Sequence, residues 1–262
     1  MFDSSDEAYL KLDAAKGSGR RALVAGLGAS GRASLEYLLR RGWRASACDS
    51  RDKVPGLDGF LSAHPGISVS LGGIPESLPE GVDLVVMSPG ISPWFGPAAA
   101  LCLAARKAGV PVAGEIELFA EELAHLRETS GYAPKVIGIT GTNGKTTTTS
   151  LTAKIGEAAG LRTIAAGNIG PNAVTELLKA EDAGELPDLW VLELSSFQLD
   201  TTHTLRCDAA ALLNITEDHI NWHGSMEAYA AAKARIFSPD TVRVGNREDQ
   251  LALEWTKKGL KN

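Results

Sequence analysis

The sequence predicts an α/β protein made of two consecutive parallel-sheet domains, residues 1–128 and 129–262. Three observations lead there. Short apolar runs alternate with helical patterns, as expected for strands covered on both faces of a parallel sheet. A glycine loop, Gly26-Leu-Gly-Ala-Ser-Gly31, follows the first such run. A second glycine-rich turn, Gly141-Thr-Asn-Gly-Lys-Thr-Thr147, follows a fresh run after a polar break. The first domain is therefore expected to be Rossmann-like. The second is expected to be a P-loop α/β ATPase domain, incomplete at residue 262.

In the first domain, strands are expected at residues 21–26, 43–48, 82–87 and 110–112, with helices at 33–41, 97–107 and 115–126. Leu35, Leu38 and Leu39 share one helical face, as do Ile116, Phe119, Ala120 and Leu123. Residues 128–134 are polar and turn-rich and mark the boundary. Beyond it, strands are expected at 135–140, 161–165, 189–194, 209–214 and 241–244. Helices are expected at 145–159, 171–179, 225–237 and 249–257. Pro171 would stand near a helix start, where a missing N–H is tolerated, and Ser225 would be an N-cap.

With 262 residues the chain is long enough for two cores. Twenty-six basic against 32 acidic side chains leave a net charge of −6, which argues against a nucleic-acid partner. Cys48, Cys102 and Cys207 are odd in number and far apart, so reduced thiols are expected rather than a disulfide framework or zinc ribbon. Residues 1–16 lack the basic-then-apolar order of a signal peptide, and no apolar stretch reaches the roughly 20 residues a membrane span needs. A cytoplasmic protein with no membrane partner is expected.

The second glycine loop points to ATP and Mg²⁺. Gly141 and Gly144 let backbone N–H groups converge on an anion, and the helix start adds partial positive charge. Lys145 would reach the β- and γ-phosphates, and Thr146 would ligate Mg²⁺. Thr142, Asn143 and Thr147 complete the nucleotide loop. Strict P-loop spacing would put glycine where Ile139 stands, so the loop is a variant. An ordinary tight turn before a helix is the competing reading.

The first loop, with Asp49 placed 18 residues after Gly31, fits a dinucleotide fingerprint in which an acid meets a ribose hydroxyl. That leaves an NAD(P)-dependent oxidoreductase, another nucleotide binder, or glycines serving only a βα turn. A second phosphate loop in the same chain favours the diphosphate of a nucleotide-linked substrate. Further along, Glu193 would stand at a strand end as a metal ligand, or simply as a half-exposed carboxylate. His219 and His223 have the spacing of a helical zinc pair but lack HExxH, so zinc is the weaker choice. Lys233 reads from chemistry alone as a solvated cation.

Thr140-Gly-Thr-Asn-Gly-Lys-Thr146, Gly167-Asn-Ile-Gly170, Glu193-Leu-Ser-Ser-Phe-Gln-Leu199, Thr216-Glu-Asp-His219 and Ala232-Lys-Ala-Arg235 occur in this order. Together they resemble the Mur ligases. With Gly26–Gly31 and Ser88-Pro-Gly-Ile91, the resemblance is to the branch that adds D-glutamate to UDP-N-acetylmuramoyl-L-alanine, and it spans about residues 21–253. It implies an ADP-forming amide ligase of peptidoglycan precursor synthesis. Lys145, Glu193, His219 and Lys233 would be catalytic, with Lys145 and Thr146 on the ATP phosphates. One Mg²⁺ would be shared by Thr146 and Glu193, a second by His219 and a carbamylated Lys233. Asn168, Ser195 and Gln198 would contact the sugar-peptide; Ala29, Ser30, Asp49, Ser50, Arg51, Ser88 and Gly90 would hold the UDP part. Asn221 stands where the family often has Asp, which removes one carboxylate near the metal. The family has a third domain, so this chain is expected to be a fragment that binds substrate as a monomer but turns over poorly. A non-catalytic nucleotide-binding module is a further alternative.

Overall fold

The computed structural model describes residues 12–259; residues 1–11, which hold most of the segment read as lacking a signal peptide, lie outside the described residues. The chain divides into two compact units that part between His125 and Leu126.

The first unit runs β1 (Arg21–Ala25), α1 (Ala29–Arg40), β2 (Arg44–Asp49), α2 (Leu57–Ala63), β3 (Ser68–Leu71), β4 (Leu84–Met87), a short 3₁₀ turn, α3 (Ala99–Lys107), β5 (Val112–Ala113) and α4 (Glu115–Ser130). Its sheet has the order β3-β2-β1-β4-β5, and its strand pairs are parallel. Buried Leu23, Ala25, Val85, Met87, Leu101 and Cys102 pack together in its core. The order reverses across β1 and β4, the kind of point where ligands settle beyond the strand ends.

Two boundaries and two elements differ instructively from expectation. Helix α1 starts at Ala29, directly after the glycine loop, because Gly28 is its extended N-cap. Helix α4 continues through Glu128, Thr129 and Ser130, so polar residues read as a linker form its last turn. The elements α2 and β3 were not anticipated; they expose most of their residues and carry little apolar pattern.

The second unit runs β6 (Lys135–Thr140), α5 (Lys145–Ala158), β7 (Thr163–Gly167), α6 (Ala173–Ala183), β8 (Leu189–Glu193), α7 (Ser196–Asp200), β9 (Ala209–Leu212), α8 (Ile220–His223), α9 (Met226–Ala234), β10 (Val242–Gly245) and α10 (Gln250–Lys257). Its sheet order is β10-β9-β6-β8-β7, again with parallel pairs. All five residues of β8 are buried, as a central parallel strand requires. Helix α6 begins at Ala173 after its N-cap Asn172, so Pro171 stands just outside the helix rather than at its first position, whereas Ser225 caps α9 as expected by accepting the Ala228 N–H. The next loop of interest lies beyond β6, flanked by β9 and β8.

Candidate functional sites

In the first unit, all seven residues expected to hold a nucleotide-linked substrate line one cleft. Ala29, Ser30, Asp49, Ser50, Arg51, Ser88 and Gly90 surround about 390 Å³ beyond β1, β2 and β4. The glycine loop forms its floor. Gly26 has φ +96°, and a Cβ on Gly31 would come within 1.8 Å of the Gly26 carbonyl oxygen. Only glycine at position 31 lets α1 begin so close to β1.

Asp49 does not wait for a ribose. Its carboxylate is 2% exposed and accepts from the Leu27 N–H at 2.7 Å and from Arg51 Nε and Nη2 at 2.8 and 2.7 Å. The Arg51 backbone N–H adds a bond of 3.0 Å. The bidentate Arg51 guanidinium, with these N–H donors, holds the Asp49 carboxyl well below the usual carboxylate range. The dinucleotide fingerprint wants an acid free to accept ribose hydroxyls; here that acid organises the loop and the half-exposed Arg51.

In the second unit, Gly141 (φ +159°) and Gly144 (φ +82°) bend the chain from β6 into α5, and Gly144 is the N-cap. The first N–H groups of a helix lack intrahelical partners. Here they belong to Lys145, Thr146 and Thr147, since the Gly144 carbonyl first accepts from Thr148 N–H at 3.1 Å. The Thr142 and Asn143 N–H groups are already taken by Asn214, at 3.0 and 2.8 Å, so these two expected nucleotide residues do not offer amide donors. The Thr142 hydroxyl meets the Tyr229 hydroxyl at 3.0 Å and the Thr216 N–H at 3.0 Å.

Two lysines and one carboxylate complete this site. Lys145 Nζ donates to the Thr142 carbonyl at 2.9 Å, and Lys233 Nζ to the Gly141 carbonyl at 2.8 Å. Lys233 is not the solvated cation its helix suggested. It is 2% exposed, lies 4.6 Å from the Tyr229 ring centre and has its pKa pushed down to about 7 by burial and by Lys145, with Asp218 opposing. Glu193, 1% exposed, accepts from Thr146 Oγ1 at 2.8 Å and Asn168 Nδ2 at 2.7 Å. The Asn168 N–H also binds the Glu193 carbonyl at 2.8 Å. Glu193 is thus buried rather than half-exposed, and it ties the ends of β8 and β7 to the start of α5.

Other expected residues are placed differently. Ser195 and Gln198 form a capping box on α7: Ser195 Oγ accepts the Gln198 N–H, and Gln198 Oε1 accepts the Ser195 N–H. The histidines part. His219 is exposed with φ +55°, whereas His223 is buried with Nε2 at 2.9 Å from Ser196 Oγ. Burial, Lys233 and His219 push the His223 pKa down to about 4. Among the described residues, no group of three or more His, Cys, Asp and Glu is arranged to hold a metal ion, and no helix is long and apolar enough to cross a membrane.

Two parallel-sheet units, each with a glycine loop at its switch point and one with a lysine at the loop's exit into a helix, define an α/β protein of the doubly wound kind. Comparison with known proteins specifies the class. Residues 139–262 match the Mur ligase middle domain, and residues 20–114 match the N-terminal domain of MurD-like Mur ligases. The chain belongs to the Mur ligase family. It is 55% identical over 227 residues to the UDP-N-acetylmuramoylalanine–D-glutamate ligase of Ralstonia nicotianae, covering 87% of this chain and 46% of that protein. It is 52% identical over 241 residues to the ligase of the same name from Cupriavidus pinatubonensis, covering 90% of this chain and 48% of that one. The chain spans about half the length of the curated relatives it matches. A MurF ligase structure from Thermotoga maritima, in complex with ADP, is 16% identical with a TM-score of 0.38 over 86% of this chain and 42% of its own.

Proposed function

We propose that this chain forms the UDP-substrate and ATP-binding units of an ADP-forming ligase that joins D-glutamate to UDP-N-acetylmuramoyl-L-alanine. The observation that carries the reading is the junction of Lys145, Thr146, Glu193, Asn168 and Lys233 at one phosphate loop. In the first unit, Arg51 and the loop N–H groups would receive the UDP part in the cleft shared with Ser88 and Gly90. In the second, Lys145 and the start of α5 would bind the ATP phosphates.

The donors beside the loop are hard oxygens, the Thr146 hydroxyl and the Glu193 carboxylate, which suit Mg²⁺ shared with substrate phosphates. Bound there, Mg²⁺ would neutralise charge on the transferring phosphoryl group. Asn168 fixes the Glu193 carboxylate from the other side. Lys233, with a pKa near 7, is poised to be a neutral amine. Its lone pair would add to the carbon of CO₂ and lose one proton, giving a carbamate that could join His219 at a second Mg²⁺. The alanyl carboxylate would then attack the γ-phosphorus with ADP leaving. The D-glutamate amine would attack the acyl phosphate, lose a proton and expel phosphate. The protein would act as a monomer in the cytoplasm, without nucleic-acid or membrane partners.

The test is a calorimetric series on this chain with UDP-N-acetylmuramoyl-L-alanine, ATP·Mg²⁺ and NADH. Binding of the first two, with ATP affinity lost in Lys145→Ala while the UDP-substrate affinity stays, is the expected result. Binding of NADH alone would overturn it. The oxidoreductase alternative is weakened by Asp49, whose oxygens already serve Arg51 and Leu27.

A further inference from the structure

Past β9 the chain continues through Leu213 and Asn214 alongside the phosphate loop. Asn214 grips that loop three times. Its carbonyl accepts the Thr142 N–H at 3.0 Å, its Oδ1 accepts the Asn143 N–H at 2.8 Å, and its Nδ2 donates to the Asn143 carbonyl at 3.0 Å. The side-chain amide thereby occupies both backbone polar groups of Asn143, as a neighbouring strand would. The partners fix which way the amide points, because a backbone N–H only donates and a carbonyl only accepts. Aspartate would lose the donor, and alanine both bonds. The fit is close at the adjoining position too: a Cβ on Gly141 would stand 3.0 Å from Leu213 Cβ and 3.3 Å from the Asn214 nitrogen.

Two glycines make this loop intrinsically mobile, since glycine loses the most backbone freedom on ordering. An anion that had to order the loop itself would bind more weakly. Asn214 supplies the order beforehand. It also draws the Thr142 and Asn143 N–H groups towards the strand end, leaving the unpartnered N–H groups at the start of α5 as the receiving set. We propose that Asn214 is a positioning residue for phosphate binding, setting the affinity of the loop through Asn143 rather than by touching the nucleotide. This rests on the reading of the loop as an ATP site.

Asn246 provides the control. Its Nδ2 donates to the Leu213 carbonyl at 3.0 Å, also an exposed amide bond to the same strand end, but one residue short of the loop's anchor. Titration of ATP·Mg²⁺ into wild type, Asn214→Ala, Asn214→Asp and Asn246→Ala should show roughly tenfold weaker binding for Asn214→Ala, the size of one to two lost hydrogen bonds. Asn214→Asp should bind more weakly still, because it sets a carboxylate against the Asn143 carbonyl and near the phosphates. Asn246→Ala should match wild type. Amide hydrogen exchange without nucleotide should show Asn143 exchanging roughly tenfold faster in Asn214→Ala, with melting temperatures of the two alanine variants alike. Wild-type affinity in Asn214→Ala, or an equal loss in Asn246→Ala, would overturn the inference. Absence of ATP binding by the wild-type chain would instead overturn the reading of the site itself.

Discussion

In the first unit a buried carboxylate, Asp49, meets its cation two residues away in the same loop. In the second a buried ammonium, Lys233, has a carbonyl and an aromatic face but no ion pair among the described residues, and a second lysine nearby repels it. The first loop is therefore electrostatically settled before any ligand arrives. The second holds like charges together, a tension that an anion or the loss of a proton relieves. Under the proposed function, the settled loop would suit a part that only holds its ligand, and the imbalanced loop one whose ligand resolves its charge.

The largest effect should come from breaking the first loop's geometry. Gly31→Ala sets a methyl group into the Gly26 carbonyl, which as backbone cannot give way cheaply. The first unit should lose about 3 kcal/mol, seen as an earlier urea transition, while the unit from Leu126 onward keeps its own. Coincident shifts of both transitions would mean that the units do not answer for their loops separately.

A smaller effect should separate the units by pH. Burial holds His223 neutral, with a pKa of about 4, and burial with Arg235 takes His203 down to about 3. Between 6.5 and these values the unfolded chain gains protons that the folded chain refuses, so stability falls as the pH drops. The second unit should lose on the order of 2 kcal/mol between pH 7 and pH 5.5, and His223→Gln should flatten part of that slope. Equal acid sensitivity in wild type and His223→Gln would contradict the neutral, buried imidazole.

The smallest effect has the opposite sign. Lys233→Met removes a buried ammonium and should raise stability at pH 6 by about 1 kcal/mol. From about 7 up to 10.5 the unfolded wild-type chain keeps a proton that the folded chain has released, so wild-type stability rises with pH and the advantage of methionine fades. Urea midpoints at pH 6, 8 and 10 give this slope; a methionine variant less stable at pH 6 would show that the ammonium is well accommodated.

Much of this architecture was legible in the sequence because its strands are buried on both faces and read as unbroken apolar runs, β4 and β8 above all. The loops were legible through residues with few other uses, such as Gly31 and Gly144-Lys145. What escaped were elements held by context. Strand β3 sits at a sheet edge with little burial, and no periodic pattern announces it. Lys233 looked solvated because helix sequence does not reveal which neighbour covers a face. Ser195 to Gln198 spells the S-x-x-Q signature of a helix start, so its capping role could have been read. Asn214 stands two residues before Thr216-Glu-Asp-His219, and its grip on Asn143 spans 71 residues of sequence and appears only in three dimensions.

The Lys145 ammonium, resting on the carbonyl of Thr142, would make the arrival of an anion an exchange rather than an addition. Each bond to phosphate that forms replaces a bond to a peptide oxygen, so the number of contacts barely changes and only the quality of the acceptor does. A phosphate oxygen carries a formal negative charge that a peptide carbonyl lacks, so the exchange adds Coulomb attraction to the bond. If the loop takes nucleotides as proposed, it would weigh them by valence: a bare nucleoside would offer Lys145 nothing better than it already has, and preference should climb with each phosphate added.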